Sequence, residues 1–348
     1  MQTTRKYGGY PWRQSGYNYG DGIIGLHEEI EHFYRYMLPT PTEHAARIEL
    51  LSRVERVIQG LWPEALVEIF GSFRLGINLP NSDIDLVVLG CWEHLPLRSL
   101  ESELRSSGIV LPGTLQVVDT AAVPIIRFTD CETHLKVDIS FNMPNGIDSS
   151  ELIKKFLHEH PVLGKLVLVL KQFLEQRNLN STLNGGISSY NLIIMCINFL
   201  QMHPRQRSPE STNLGVLLLE FFELYGLSFN YAQIGISIWN GYVRKENILV
   251  GSRTPSLYID DPLLPGRQNS RSFIASCHIK RVFQWAYRVL NEALFAKAEE
   301  CDSHHRAGFS ILGSIIHITD ERIDYRAWLR NKFHHLVVLE PKVLWSKI

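Results

Sequence analysis

Residues 70–88 constrain this chain more than any other stretch. They read as a short strand, a turn at Gly71-Ser72, a loop, and a second strand that carries Asp83 and Asp85. Residues two apart on a strand project from the same face, so the two carboxylates share one face and Ile84 and Leu86 the other. Neighbouring carboxylates repel unless a cation lies between them. The pattern therefore predicts a divalent-metal site, with the Gly-Ser turn close by to hold phosphate oxygens.

At 348 residues the chain has room for two domains or one large one. Its formal net charge of −1 excludes a global basic field, so a phosphate-binding surface has to be a local cluster. The five cysteines (Cys91, Cys131, Cys196, Cys277 and Cys301) are scattered and lack Cys-x-x-Cys spacing. That predicts a reducing compartment rather than a disulfide scaffold or a structural zinc site. Cys301, His304 and His305 lack a fourth ligand at zinc spacing and read as a surface segment. Residues 1–6 have no apolar signal-peptide core, and the apolar runs at 162–170 and 192–202 are too short to span a bilayer. The expectation is a soluble intracellular protein with no membrane role.

Taken in order, residues 1–20 are rich in Tyr, Gly and Arg and are expected to be extended, with aromatics laid on a surface. Apolar spacing predicts helices over 23–36 and 43–61, the second capped by Thr42 and stopped by Trp62-Pro63. Strands are predicted over 66–70, 84–89, 115–120, 123–129 and 135–141, with a helix over 97–106. From residue 149 the texture turns helical. Ser149 and Ser150 are expected to cap a helix over 151–158, and 162–176 is apolar all round and therefore buried. Further helices are predicted over 190–203, 213–226 and 274–294, with 235–265 irregular or short-stranded between them. The fold class is α+β. The predicted divisions are 1–41, an N-terminal helix packed on the helical domain; 42–150, a small mixed sheet with flanking helices; 151–295, mostly helical; and 296–348, of unassigned role.

Asp138 lies on the strand in which Leu135, Val137, Ile139 and Phe141 alternate with polar residues, so it too faces one side of the sheet. A Gly-Ser turn, ten residues, Asp-Ile-Asp, and a later strand carboxylate is the pattern of the DNA polymerase β-like nucleotidyltransferases. Residues 70–72 with 82–88, followed by Lys136-Val137-Asp138-Ile139-Ser140-Phe141-Asn142, resemble the noncanonical poly(A) polymerases of the TRAMP-type nuclear surveillance complex. Supporting segments are 161–163, 168–174, Gly185-Gly186-Ile187-Ser188-Ser189-Tyr190, 221–226 and 258–263, with Trp12 and 25–30 near the N-terminus. The likeness runs from about residue 7 to about residue 295.

The resemblance implies a polymerase β-like nucleotidyltransferase domain followed by a helical, poly(A)-polymerase-associated domain whose loop 258–272 recognises the nucleotide. It implies an enzyme, a template-independent RNA 3′-adenylyltransferase that uses ATP and two Mg²⁺ or Mn²⁺ ions. Two ions about 4 Å apart stabilise the entering and leaving oxygens of an in-line displacement. By the same likeness Asp83, Asp85 and Asp138 are the catalytic metal ligands, and Gly71 and Ser72 contact the triphosphate. Gly146 lies against ribose or base, Lys171 and Ser189 reach phosphate oxygens, and Tyr190 stacks on the base. Asp261, Arg267 and Arg271 belong to the loop that selects the nucleotide, in a cleft between the two domains. Arg267 stands where the family carries Asn. An Asn pairs a donor with an acceptor on adenine, whereas Arg offers donors only. A uridylyltransferase or relaxed-specificity enzyme is therefore an alternative, and a catalytically idle RNA- or partner-binding scaffold is another. The family also implies RNA 3′ ends as substrate, a separate zinc-knuckle RNA-binding subunit, an RNA helicase, and the nucleus as location, with the cytoplasm second.

Plainer readings stand beside these. Lys171 fits a snorkelling lysine, Ser189 a helix cap, Tyr190 a core aromatic, and Arg267 and Arg271 exposed loop residues. No Gly-x-Ser-x-Gly elbow supports a serine hydrolase. The near-neutral charge and the lack of an RNA-recognition motif predict that the isolated chain binds long RNA weakly. In a filter-binding titration that affinity falls steeply with salt; tight, salt-insensitive binding would contradict the expectation.

Overall fold

The computed structural model describes residues 6–119, 123–181, 185–203, 212–247, 257–268, 275–296 and 309–339. Arg271 and the Cys301, His304, His305 group lie outside the described residues. In chain order the elements are α1 (Gly22–Met37), α2 (Pro41–Leu61), β1 (Leu66–Phe70), the four-residue α3 (Gly71–Arg74), β2 (Ile84–Leu89) and α4 (Leu97–Ser106). Then come β3 (Gln116–Val118), β4 (Ile125–Thr129), β5 (Lys136–Phe141), α5 (Asn145–Glu159), α6 (Leu163–Glu175), α7 (Ser189–Met202) and α8 (Leu214–Glu223). The chain continues through β6 (Ile234–Ser237), β7 (Gly241–Arg244), β8 (Tyr258–Asp261), β9 (Leu264–Gln268), α9 (Ala275–Ala296) and α10 (Asp320–Leu339). These elements form two compact units, Met1–Met37 with Lys155–Asp320, and Leu38–Lys154 with Glu321–Ile348.

The unit of residues 38–154 and 321–348 holds a five-stranded sheet in the order β1-β2-β5-β4-β3. β2 pairs parallel with β5 and antiparallel with β1, and β4 is antiparallel to β5. Ile84, Leu86 and Val88 of β2 and Val137, Ile139 and Phe141 of β5 are buried in one core with Leu50, Val54 and Ile58 of α2 and Leu100 and Leu104 of α4. That set occupies one side of the pleat. Asp85, Asp138 and Arg127, on alternate positions, therefore point to the other. A one-residue slip would bury the carboxylates, so the apolar set holds the register.

β2 spans Ile84–Leu89, as the apolar pattern predicts, and leaves Asp83 as the last residue of the preceding loop rather than on the strand with Asp85. Two helix caps differ from the sequence-based expectation. The cap of α2 is Thr40 rather than Thr42: Pro41 takes the first helical position, and Thr40 forms a capping box with Glu43. α5 starts at Asn145 and runs through Ser149 and Ser150, so neither caps it; the Ser150 hydroxyl donates to the Gly146 carbonyl at 2.8 Å. The 296–348 region, unassigned from sequence, supplies α10, whose Leu329 and Phe333 are buried beside Ala46 of α2. Burial of each such side chain contributes about 1.5–3 kcal/mol.

The unit of residues 1–37 and 155–320 is mainly helical, with a four-stranded sheet in the order β7-β6-β8-β9 across the segment expected to be irregular or short-stranded. α6 is buried on nearly every face. Ile279, Phe283, Ala286 and Leu290 make the buried stripe of α9, at helical spacing. α8 ends at Glu223 and passes into a π-helical turn, Leu224–Ser228, where Gly226 leaves room for α9: a Cβ there would lie 2.6 Å from the Gln284 amide nitrogen. The N-terminal aromatics are not all surface residues. Trp12 and Tyr19 are buried, and Trp12 meets Phe33 edge-on at 5.3 Å. Buried Glu29 of α1 accepts from Arg13 at 3.0 Å and from the amides of Ile311 and Leu312 at 3.0 and 3.1 Å. Among the described residues no helix is long and apolar enough to cross a membrane.

Arg53 of α2 ties that helix to the β4–β5 connection through a bidentate pair with Asp130, at 2.8 and 3.0 Å. Burial pushes the Asp130 carboxyl up, but Arg53 and two bonds from Thr133 outweigh it and hold the group below its ordinary 3.8. A depressed carboxylate stabilises the fold above its unfolded pKa and loses that contribution as pH falls through the folded value. Asp130→Asn is expected to cost about 2–3 kcal/mol in urea unfolding at pH 7, below the roughly 3–5 of a fully buried pair, because Glu49 and Glu132 remain 3.9 Å from Arg53. The gap between variant and wild type should close below pH 3.8.

Candidate active site

The Gly-Ser turn is the opening of α3. Gly71 has φ +69°, a conformation that suits glycine, and a Cβ there would lie 2.5 Å from an Asp85 carboxylate oxygen. Glycine is required on both counts. The Gly71 amide donates to the Ser150 hydroxyl at 3.0 Å, which ties the turn to α5. Ser72 is half-buried and its backbone carbonyl accepts from the Ile77 amide at 3.1 Å. Gly146, in the first turn of α5, lies against the Phe70 ring, where a Cβ would come within 2.7 Å. Its lack of a side chain thus has a packing reason, whatever it meets in solution.

Parallel pairing sets Asp85 directly beside Asp138, and Asp83 enters from the loop end next to them. Burial and then the charge of Asp138 push the Asp83 carboxyl above its ordinary value, against the pull of Lys136, Arg127 and Arg47. Asp138 is bound by Arg127, its cross-strand partner on β4, with Nε donating at 2.7 Å and Nη2 to the second oxygen. Among the described residues no three His, Cys, Asp or Glu side chains are gathered into a ready-made metal cage. Like charges keep apart, and Asp138 takes the guanidinium as its counter-charge. The donor set still fits a hard divalent cation. It offers the carboxylates of Asp85 and Asp138 from adjacent positions on one face of a sheet, and at the loop end that of Asp83, destabilised in its charged form by burial and by Asp138.

The structure therefore brings Gly71, Ser72, Asp83, Asp85, Asp138 and Gly146 into one unit. Lys171, Ser189, Tyr190, Asp261 and Arg267 belong to the other unit. Lys171 is buried on α6. Ser188, not Ser189, caps α7, its hydroxyl accepting from the Asn191 amide at 3.2 Å; Ser189 is the first helical residue and Tyr190, half-buried, the second. Asp261 closes the β8–β9 turn by accepting from the Leu263 amide at 3.0 Å, and Arg267 lies on β9.

Two cations near the carboxylates escaped the reading by motif. Arg127 alternates with buried Ile126 and Phe128, and a hairpin assumption for β4–β5 would have placed it opposite Asp138. Arg47 interrupts the apolar face of α2 between Ala46 and Leu50; a charged residue on such a face was the available signal.

The chain matches the family model "Poly(A) RNA polymerase, mitochondrial-like, central palm domain" over residues 26–158, and "Cid1 family poly A polymerase" over 213–267. It is 39% identical to the Inactive non-canonical poly(A) RNA polymerase protein Trf4-2 of Drosophila melanogaster, across 95% of this chain and 83% of that protein. The chain belongs to the noncanonical poly(A) RNA polymerase family. Within the family it is 35% identical to Poly(A) RNA polymerase cid14 of Schizosaccharomyces pombe, over 91% of this chain but only 49% of that longer protein. A solved structure of the polymerase core of TRAMP, an RNA surveillance complex, superposes with a TM-score of 0.81 at 34% identity, covering 88% of this chain and 99% of that one. Cid1 poly(U) polymerase bound to a UTP analogue superposes at 0.66 with 23% identity, a likeness of fold alone.

The raised Asp83 carboxyl means that its charged form strains the metal-free polymerase fold. Asp83→Asn is expected to melt at a higher temperature than wild type in chelator at pH 7, because it removes that charge. Gly71→Ala, which places a methyl against Asp85, is expected to lower nucleotide transfer on the order of 100-fold, with the protein still folded by circular dichroism.

Proposed function

We propose that this poly(A) polymerase family member extends RNA 3′ ends with AMP from ATP, releasing pyrophosphate, without a template. The observation that carries the reading is the register of β2 and β5. It puts Asp85 beside Asp138 on the open face of the sheet, next to Asp83 and the Gly71 turn. Polymerases of this fold use divalent metals and a nucleoside triphosphate. Here Asp83, Asp85 and Asp138 would hold the ions, Mg²⁺ or Mn²⁺, which supply positive charge to the entering and leaving oxygens when bound.

The RNA 3′-hydroxyl attacks the α-phosphate and the β/γ phosphates leave together. Gly71 keeps the turn clear of Asp85, and Ser72 is offered to the triphosphate. Arg127 stands over Asp138 as a fixed positive charge against the charge that builds on the reacting phosphate. Lys171 and Ser189 take phosphate contacts, Tyr190 the base, and the 258–272 loop the base choice, all by family likeness. The work of such a site is positioning and charge stabilisation. Nuclear RNA surveillance, with a zinc-knuckle RNA-binding subunit and an RNA helicase as partners, completes the proposal on the same likeness.

A second reading has a specific observation behind it. The Drosophila relative is named inactive, and Asp138 in this chain is engaged by Arg127. An idle scaffold would show no transfer at all. Labelled RNA incubated with each single NTP and Mg²⁺ or Mn²⁺ separates the readings, with Asp83→Ala/Asp85→Ala as control. ATP-dependent extension that vanishes in the double variant is the expected result. Extension that survives there sinks the metal mechanism, better use of UTP sinks the adenylation assignment, and no extension in any lane favours the scaffold.

A further inference from the structure

Arg47 is buried, at 2% exposure, and its guanidinium donates to backbone carbonyls, to Pro80 at 2.6 Å and to Leu79 and Ser82 at 3.4 Å. These carbonyls belong to the loop that delivers Asp83. The loop is closed on itself, with the Leu79 amide donating to the Ser82 hydroxyl and the Ser82 amide to the Leu79 carbonyl, both at 2.9 Å. Arg47 also lies over the Phe73 ring at 5.9 Å, so one cation touches both the Gly71–Arg74 turn and the approach to Asp83. Burial pulls its pKa down, the cost of holding a charge there. A buried guanidinium is a poor stabiliser in itself. Its planar fork, however, can grip several carbonyls at once, which a lysine cannot do.

One turn before Arg47 on α2 lies Glu43, also buried. Its carboxylate receives the cap bond of Thr40 at 2.7 Å and two bonds from Arg326 of α10, at 2.5 and 2.8 Å. Arg326 reaches on to the Leu38 carbonyl at 3.1 Å. Its neighbour Tyr325 donates to the Thr133 carbonyl at 2.9 Å, and Trp328 stacks on His134 at 5.0 Å. α10 is thus bonded to the start of α2 and to the β4–β5 connection.

We infer that Arg47 is a positioning residue for Asp83, and that α10 belongs to the same device. The Arg326–Glu43 pair holds α2 at the depth where Arg47 grips the Leu79–Ser82 carbonyls. The C-terminal helix then acts on the carboxylate face without touching it. The inference rests on the reading that Asp83 holds a divalent ion.

The test uses the full chain, without nucleotide or RNA, and reads Mn²⁺ binding from the electron paramagnetic resonance signal of free Mn²⁺, with thermal unfolding in chelator alongside. The variants are Arg47→Lys, Arg47→Met, Arg326→Lys and Arg326→Met, with Asp83→Asn as the reference for a lost ligand. Arg47→Met should weaken Mn²⁺ binding at least about tenfold, as loss of a group that orients a metal ligand does. Arg47→Lys should recover part of that, Arg326→Met should shift binding in the same direction by less, and Arg326→Lys should restore most of it. In ATP kinetics the loss should fall on kcat rather than on KM for ATP. If Arg47→Met does not fold, the Arg47→Lys and Arg326 series decides. Folded variants with wild-type Mn²⁺ affinity, including any with only a lower melting temperature, overturn the inference while the proposed function stands. A wild type that binds no Mn²⁺, or an Asp83→Asn variant that binds as well as wild type, overturns both.

Discussion

The parallel pairing of β2 with β5 is the constraint on which the rest of the structure depends. It sets Asp85 beside Asp138, two carboxylates that repel each other. The arrangement persists because the opposite face of the same strands, Ile84, Leu86, Val88, Val137, Ile139 and Phe141, is buried against α2 and α4. Shifting either strand by one residue would drive carboxylates into that core. Apolar burial thus holds in place an electrostatic arrangement that is unfavourable by itself, the pattern expected where function overrides local stability.

Counter-charges then distribute around the carboxylate face according to distance. Arg127, across β4, neutralises Asp138 directly. Lys136 and Arg47 act on Asp83 through space, and Arg47 does so from within the core, bonded to the loop rather than to the acid. The face is a balance between acids that attract cations and protein cations that already answer them.

How much of this was legible depends on whether the information was local. Asp85 and Asp138 could be placed on strand faces because a period of two is written in Ile84, Leu86, Val137 and Ile139, whereas Asp83 ends the preceding loop. Helices α1, α2, α6 and α9 followed from apolar spacing for the same reason. The cap at Thr40 was displaced by a single proline, and the start of α5 by serines that bond backward to Gly146 and outward to Gly71 instead of capping. Gly71 was assigned to phosphate, and the structure adds that its missing side chain clears Asp85.

The sequence by itself determined the α+β class, the strands that carry Asp85 and Asp138, the Gly-Ser turn and the family, since each is carried by residues a few positions apart or by alternation within one element. Only the tertiary structure decided which cations answer those acids and what lies behind them. Arg127 meets Asp138 through strand register, Arg47 meets the loop more than thirty residues away through helix packing, and Arg326 meets Glu43 across 283 positions of chain. Contacts of that separation leave no periodic trace. They exist because the folded backbone brings an isolated charge to a partner that the local sequence does not name.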